Sequence, residues 1–331
     1  MANERKGISV AGSLIADCVY TTDTYPAPGF LANIKRINWN VGGSGNLILD
    51  LAKMDPELPV RVSAIIGRDE GGRMLAGQLG SFPNIHLDNI TYMENSSVTH
   101  VILPLDTRQR TFLFQGEASD SYDDEYIDWD KIPCEIFVLE YLLLMKKIDS
   151  PDEEYGTRGA RILHDAQERG MKTAIDMVSE QGTRARSVVM PALKYTNYCV
   201  INELEAEAIT GIAVTDETAE TVLRALHEMG VADWVVIHTS SRAYGLDCGK
   251  DEMFRVPSLK LPEGYIVGNT GAGDAFFGGI LYGRYSGMDL EKAMRFAAAS
   301  AACSLSEQNG TDGLRAADKI WELEASFEKQ E

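Results

Sequence analysis

The chain has 331 residues, with 31 Lys+Arg against 50 Asp+Glu and a formal net charge of −19. That balance excludes a nucleic-acid partner, because most of the surface would repel a polyanion. Hydrophobic residues at 44 % and charged residues at 24 % suffice to bury a sizeable core, in two domains or one large α/β domain.

Taken in chain order, a strand is expected at 7–12, followed by a Thr-, Val- and aromatic-rich stretch, 13–40, without helical periodicity. A helix at 44–54 and a strand at 61–66 come next, then a hairpin within 96–116 that turns at Asp106-Thr107-Arg108-Gln109. From residue 130 onward, strands at 136–144, 173–177, 198–201 and 233–238 alternate with helices at 156–169, 184–193, 203–210 and 216–229. This alternation predicts an α/β fold, a three-layer sandwich with a mainly parallel sheet covered on both faces. Segments 1–12, 41–95 and 117–331 are expected to form its core, and 13–40 and 96–116 a small β-sheet lid. Three helices, 272–286, 289–306 and 313–328, should close the chain, with Asp289 and Asp312 as helix starts. No apolar run is long enough to span a membrane, and no signal-like segment precedes the first strand. The cysteines (Cys18, Cys134, Cys199, Cys248, Cys303) never pair as CxxC, as expected of reduced thiols in a cytoplasmic protein. A bound metal would then use oxygen ligands.

The most informative segment is Gly268-Asn269-Thr270-Gly271-Ala272-Gly273-Asp274. Glycines flanking an alanine at a helix start leave several N–H groups pointing outward beside the positive end of the dipole. Such a backbone site suits a transferring phosphoryl group. Asp274, in the first turn, is kept ionised by the dipole and placed to take a proton from an attacking hydroxyl. The alternative is a glycine-rich turn with an acidic capping residue. A Walker A loop is excluded because no Gly-Lys-Ser/Thr follows.

Thr-Gly-Ala-Gly-Asp followed by Ala-Phe closely resembles the second signature of the PfkB, or ribokinase-like, carbohydrate kinases. The resemblance implies a ribokinase-like fold, with Gly271, Ala272 and Gly273 as anion hole and Asp274 as base. It extends over nearly the whole chain. Gly12-Ser13-Leu14-Ile15-Ala16-Asp17 looks like the first strand with its substrate aspartate, Asp17. Gly42-Gly43-Ser44-Gly45-Asn46 is similar to the first signature, which puts Gly42, Gly43 and Asn46 at the sugar. Asn202-Glu203-Leu204-Glu205 matches an Asn-x-x-Glu element that places Asn202 by ATP and Glu205 near Mg2+, through water; by itself it also reads as a capped helix start. Glu140, inside an apolar strand, lies where some members hold substrate, or else it is an edge-strand carboxylate facing water. Thr239, Ser240, Thr270 and Asn309 are expected on the ATP side, and the histidines, His238 included, in structural or surface roles.

The departures matter too. The turn Gly42–Asn46 is one residue short, Gly268 replaces a customary aspartate of the potassium site, and His238-Thr239-Ser240 replaces Thr-Leu-Gly. The implied activity is transfer of the γ-phosphate of ATP, with Mg2+, to a hydroxyl of a small sugar. A nucleoside kinase and a non-catalytic sugar or nucleotide sensor are the alternatives. Asp17 and Glu140 together point to a neutral polyol over a phosphorylated sugar, and the resemblance implies a homodimer through the lid.

Overall fold

The computed structural model describes residues 7–180 and 182–330. The chain opens with β1 (Ile8–Gly12), then leaves its sheet for β2 (Leu14–Thr22) and β3 (Ile34–Gly43). It returns through α1 (Ser44–Met54), β4 (Val60–Gly67), α2 (Glu70–Leu79) and β5 (Ile85–Met93), and departs again for β6 (Ser97–Pro104) and β7 (Thr111–Gln115). After a short α3 (Glu117–Ser121) come β8 (Ile136–Leu142) and a two-residue ladder of β9 (Pro151–Asp152) and β10 (Gly156–Thr157). The units that follow are α4 (Arg158–Glu168), β11 (Lys172–Met177), α5 (Ala185–Leu193), β12 (Tyr198–Asn202), α6 (Glu203–Thr210), α7 (Ala219–Glu228) and β13 (Trp234–His238). A hairpin, β14 (Arg242–Asp247) and β15 (Glu252–Pro257), precedes α8 (Ala272–Tyr285), α9 (Leu290–Leu305) and α10 (Ala317–Ser326).

Nine strands form the main sheet in the order β15-β14-β13-β12-β11-β8-β1-β4-β5. All of its pairings are parallel except β13/β14 and β14/β15. Strand residues point alternately to the two faces, and both faces are apolar, as in a sheet covered on each side. In β12, Val200 packs with α1, α2, α8 and α9, whereas Cys199 and Ile201 pack with α4 to α7. The result is a three-layer α/β sandwich, as the alternation of strands and helices predicts. A second sheet, β3-β2-β6-β7, stands off the first and is antiparallel apart from β2/β6. Among the described residues no helix is long and apolar enough to cross a membrane.

Three strands of the main sheet were not anticipated: β5, β14 and β15, the ones at its two ends, which interleave polar residues and lack an apolar run. Asp312 does not start a helix. Its N–H donates to Asn309 Oδ1 at 2.8 Å and its carboxylate accepts from Asn309 Nδ2, closing a turn, so α10 begins at Ala317. The strand expected to reach 144 stops at Leu142, because Tyr141 (φ 62) and Leu143 (φ 77) adopt left-handed backbone. At the other strand-to-helix junction, Gly43 (φ 58) turns β3 straight into α1, and a Cβ there would sit 2.1 Å from the Ser13 carbonyl oxygen.

Candidate active site

The carboxyl ends of the parallel strands, where open α/β sheets place their ligands, converge on the start of α8. Gly271 holds φ 79, and a Cβ on it would come within 2.5 Å of Gly310 Cα, so only glycine lets the two loops meet. The first backbone bond at this end runs from Ala275 N to Gly271 O (2.9 Å), and no side chain caps the helix. The amides of Ala272, Gly273 and Asp274 therefore precede the first amide that donates within the helix, that of Ala275, and Ala272 and Gly273 line a cavity. Amides left without a helical acceptor at a helix start have the chemistry to receive an anion.

Asp274 is 7 % exposed. Its Oδ2 accepts from Asn46 Nδ2 at 2.8 Å and its Oδ1 from the Tyr141 hydroxyl at 2.9 Å. Burial raises its pKa above the ordinary carboxylate value, while these two donors pull it back. The helix dipole alone thus does not set its ionisation, contrary to the sequence expectation. Tyr141 was not foreseen; only its left-handed backbone turns the ring from the end of β8 toward Asp274. That turn is held in place by Asp149, which accepts from Leu143 N at 3.0 Å and pairs with Arg184 at 3.3 Å.

Oxygens of Asp274, Glu140 and Asp176 lie within 4.8 Å of one another. Glu140 is 0 % exposed in β8, a central strand between β1 and β11, so the edge-strand alternative is excluded. Expected at the substrate, it lines neither of the two cavities described below, because the strand end carries it to the Asp274 and Asp176 carboxylates. Neither of its oxygens has a hydrogen-bond partner among the described residues, and the same holds for Asp50 on α1. Burial first, then the charge of Asp274, raises Glu140 well above its usual value, and burial followed by Glu205 and Asp274 does the same to Asp176. Three oxygen donors, one of them orphaned, fit Mg2+, a hard cation that binds through carboxylates. Asp176 escaped the sequence reading, although an acidic residue inside an apolar strand, Ala174-Ile175-Asp176-Met177, is the signal that drew attention to Glu140.

Two cavities flank this cluster. The larger, about 570 Å³, is lined by Asn202, His238, Thr239, Ser240, Ala272 and Gly273 among others. Asn202 caps α6 there, in a capping box with Glu205. Glu205 commits Oε2 to Asn202 N (2.9 Å) and Oε1 to the Ser179 hydroxyl (2.6 Å), and lines neither cavity. The cap engages both of its oxygens, while its charge still acts on Asp176 of the acidic cluster. His238, expected in a structural or surface role, borders this cavity against Phe276 (5.0 Å between rings), and burial lowers its pKa to about 4, so the ring is neutral.

The smaller cavity, about 390 Å³, lies under the second sheet and takes in Asp17, Asn46, Arg110 and Thr270. Burial pushes Asp17 up to about 6, against a hydrogen bond from Thr99; the Asp274 charge adds to the rise and Arg110 opposes it. Gly42 packs on the Asp17 carboxylate, where a Cβ would sit 2.4 Å from Oδ2, and Gly43 serves the α1 junction, so neither glycine lines the cavity. Asn309 and Thr270, expected with the nucleotide, border this second cavity instead, because the turn closed by Asp312 folds over it. Arg110 reaches down from the β6–β7 turn to donate to the Thr270 hydroxyl and, at 3.2 Å, to the Gln308 carbonyl.

The pattern of the pfkB family carbohydrate kinases matches residues 5–317. A ribokinase of Arabidopsis thaliana is 24 % identical over 298 residues, covering 88 % of this chain and 74 % of that protein. A deoxyribokinase of Salmonella typhi is 24 % identical over 308 residues, covering 90 % and 92 %. The structure of Arabidopsis thaliana ribokinase complexed with ribose and ATP superposes with a TM-score of 0.82 at 20 % identity, over 97 % of this chain and 99 % of that one. Fold and relatives define the class first: a phosphotransferase with an alcohol acceptor, a sugar kinase. Within that class, the chain belongs to the PfkB family of carbohydrate kinases.

Proposed function

We propose that this kinase transfers the γ-phosphate of ATP to a hydroxyl of a small sugar, with Asp274 as the base. ATP occupies the larger cavity with its γ-phosphate against the Gly271–Gly273 amides, and the sugar lies in the smaller one, beneath the second sheet as a lid. The observation that carries this reading is the position of Asp274. The residues just ahead of it line one cavity, and Asn46, its hydrogen-bond donor, lines the other. The accepting hydroxyl would bond to the γ-phosphorus as its proton passes to Asp274 Oδ and ADP departs. The preformed amides take up the charge on the moving group without reorganising. Bound Mg2+ would neutralise phosphate charge, with the Asp176 and Glu140 carboxylates to hold it and Asp274 left to take the proton. Asn46 and Tyr141 hold the base in one orientation, and Asp17 accepts hydroxyls of the sugar. Closure of the lid excludes water and with it wasteful hydrolysis of ATP.

Pairing with a second copy through the outer face of the lid belongs to this reading, since Ile37 (52 % exposed) and Leu113 (55 %) leave that face apolar.

The test is Asp274→Asn in a coupled ADP-release assay over a panel of sugars. Turnover should drop about 10²- to 10⁴-fold, as for loss of a general base, with nucleotide affinity retained by calorimetry. Wild-type-like kcat would remove Asp274 from the mechanism. Sugar-dependent ADP formation separates this reading from a sensor.

A further inference from the structure

Strand β13 ends on His238, at the carboxyl edge of the main sheet. Residues two apart in a strand point the same way, and Trp234 and Val236 pack with Phe276, Phe277 and Met294 on the α8 and α9 side. His238 continues that row past the core. It emerges half-buried in the wall of the larger cavity, its ring tilted at 37° against Phe276. A Cβ on Gly273 would have His238 Cε1 as its nearest contact, at 3.9 Å. Cε1 is the carbon between the two ring nitrogens, so the nitrogen-bearing edge of the imidazole approaches the amides at the start of α8.

That edge has nothing to bond. Among the described residues no hydrogen bond reaches either ring nitrogen and no charged group acts on the ring; burial alone holds it neutral. Its neighbours are committed. Asn202, paired with His238 across β12 and β13, uses Oδ1 to cap α6 and donates Nδ2 to the Ser179 hydroxyl. Thr239 turns its hydroxyl back to the Arg242 carbonyl at 3.0 Å. A neutral imidazole carries one N–H donor and one acceptor nitrogen, and a donor withdrawn from water without an acceptor is costly. Since the fold engages neither nitrogen, either can carry the hydrogen, and an anion in the cavity selects the one that faces it. His238 lines the larger cavity and not the smaller, so it stands on the side of Gly273 away from the proposed sugar.

We propose that His238 is a further catalytic residue of the transfer, its ring N–H donating to the β-phosphate of ATP, the leaving group. This assignment rests on the placement of ATP proposed above. With the γ-phosphate on the Gly271–Gly273 amides and the sugar beyond it, the next phosphate on the His238 side is the β-phosphate. As the acceptor oxygen bonds to the γ-phosphorus and its proton passes to Asp274, the bond from that phosphorus to the β–γ bridging oxygen breaks. Its electron pair stays on ADP. Negative charge on the terminal phosphate of ADP therefore grows through the step, and a fixed N–H beside it bonds more strongly at the transition state than to bound ATP. The imidazole gives up no proton and is unchanged at the end.

His238→Phe keeps a ring against Phe276 and removes the donor, and His238→Leu repeats that loss with less bulk. His238→Asn and His238→Gln restore an N–H near the place of one ring nitrogen or the other. ADP and AMP are titrated calorimetrically into these four variants and wild type, and kcat is taken from coupled ADP release with a sugar the wild type accepts. Thermal denaturation checks folding. His238→Phe and His238→Leu should each lose about 10- to 100-fold in ADP affinity and in kcat, the range of one hydrogen bond to a charged group. AMP, which lacks the β-phosphate, should bind as before, and one of the two amide variants should recover part of the loss. ADP affinity unchanged in His238→Phe and His238→Leu overturns the proposal. So does an equal loss for AMP, which would set the ring away from the β-phosphate, or recovery by neither amide. If no sugar supports ADP release by wild type, the transfer reading fails instead, and the comparison of ADP with AMP still decides whether His238 meets the β-phosphate. A wild type that binds neither nucleotide overturns both.

Discussion

Replacing Tyr141 by Phe removes one oxygen and keeps the ring that fills the end of β8. The lost hydroxyl is one of two side-chain donors to Asp274, at 2.9 Å. A hydrogen bond to a charged group is worth roughly 1.5–3 kcal/mol. The donor favours the ionised carboxylate, so its removal adds to the rise that burial already imposes on Asp274. The base is then protonated over a wider range of acidic pH, and the acidic limb of the kcat profile moves upward. At a fixed pH on that limb, kcat should fall roughly 10- to 100-fold, at 1.36 kcal/mol per decade. On the alkaline plateau, where both proteins are ionised, it should fall little. The assay is coupled ADP release under saturating substrates across the pH range, with thermal denaturation as a check that the variant folds. Superimposable profiles would refute the reasoning, and a uniform loss at every pH would show that Tyr141 places the base without tuning it.

Three further outcomes follow from the same geometry. Gly271→Ala should lower Tm, since left-handed backbone costs a non-glycine residue roughly 1–2 kcal/mol and its Cβ would press on Gly310 at 2.5 Å; Gly273→Ala, whose nearest neighbour is 3.9 Å away, should not, and equal losses in thermal denaturation would contradict this. Asp17, pushed up to about 6, must ionise to accept sugar hydroxyls, so kcat/KM should climb through that pH and lose this step in Asp17→Asn; a wild-type profile flat through pH 6 would count against it. Glu140 has a folded pKa raised above its unfolded value, so the stability it contributes is present at low pH and lost as pH rises through the folded value. With EDTA present, the Tm of Glu140→Gln minus that of wild type should therefore grow with rising pH, and a wild type that is more stable throughout would disprove the orphaned-carboxylate account.

Much of this could be read from the residues. Helix α1 fell at 44–54 because Gly43 and Ser44 punctuate its start, and α8 was marked by its glycines. Contacts that exist only once distant segments meet were out of reach. No local pattern tells that Tyr141 is left-handed, that Asp149 holds that turn, or that Arg110 crosses from a hairpin to Thr270. Glu140 was noticed as an acid in an apolar strand, but which neighbours it meets depends on strand order, and β8 is central. Asn309, expected on the ATP side, borders the smaller cavity for a similar reason, since an Asn-Asp turn redirects its loop.

The junction between β3 and α1 has a mechanical consequence. There is no slack between Gly43, the last residue of the covering sheet, and Ser44, the first of the helix that carries Asn46. The sheet over the smaller cavity and the side chain that donates to Asp274 therefore share one continuous piece of chain. On the proposed function, a tilt of that cover would carry Asn46 with it, so that the carboxylate would lose its brace as the chamber opened to water.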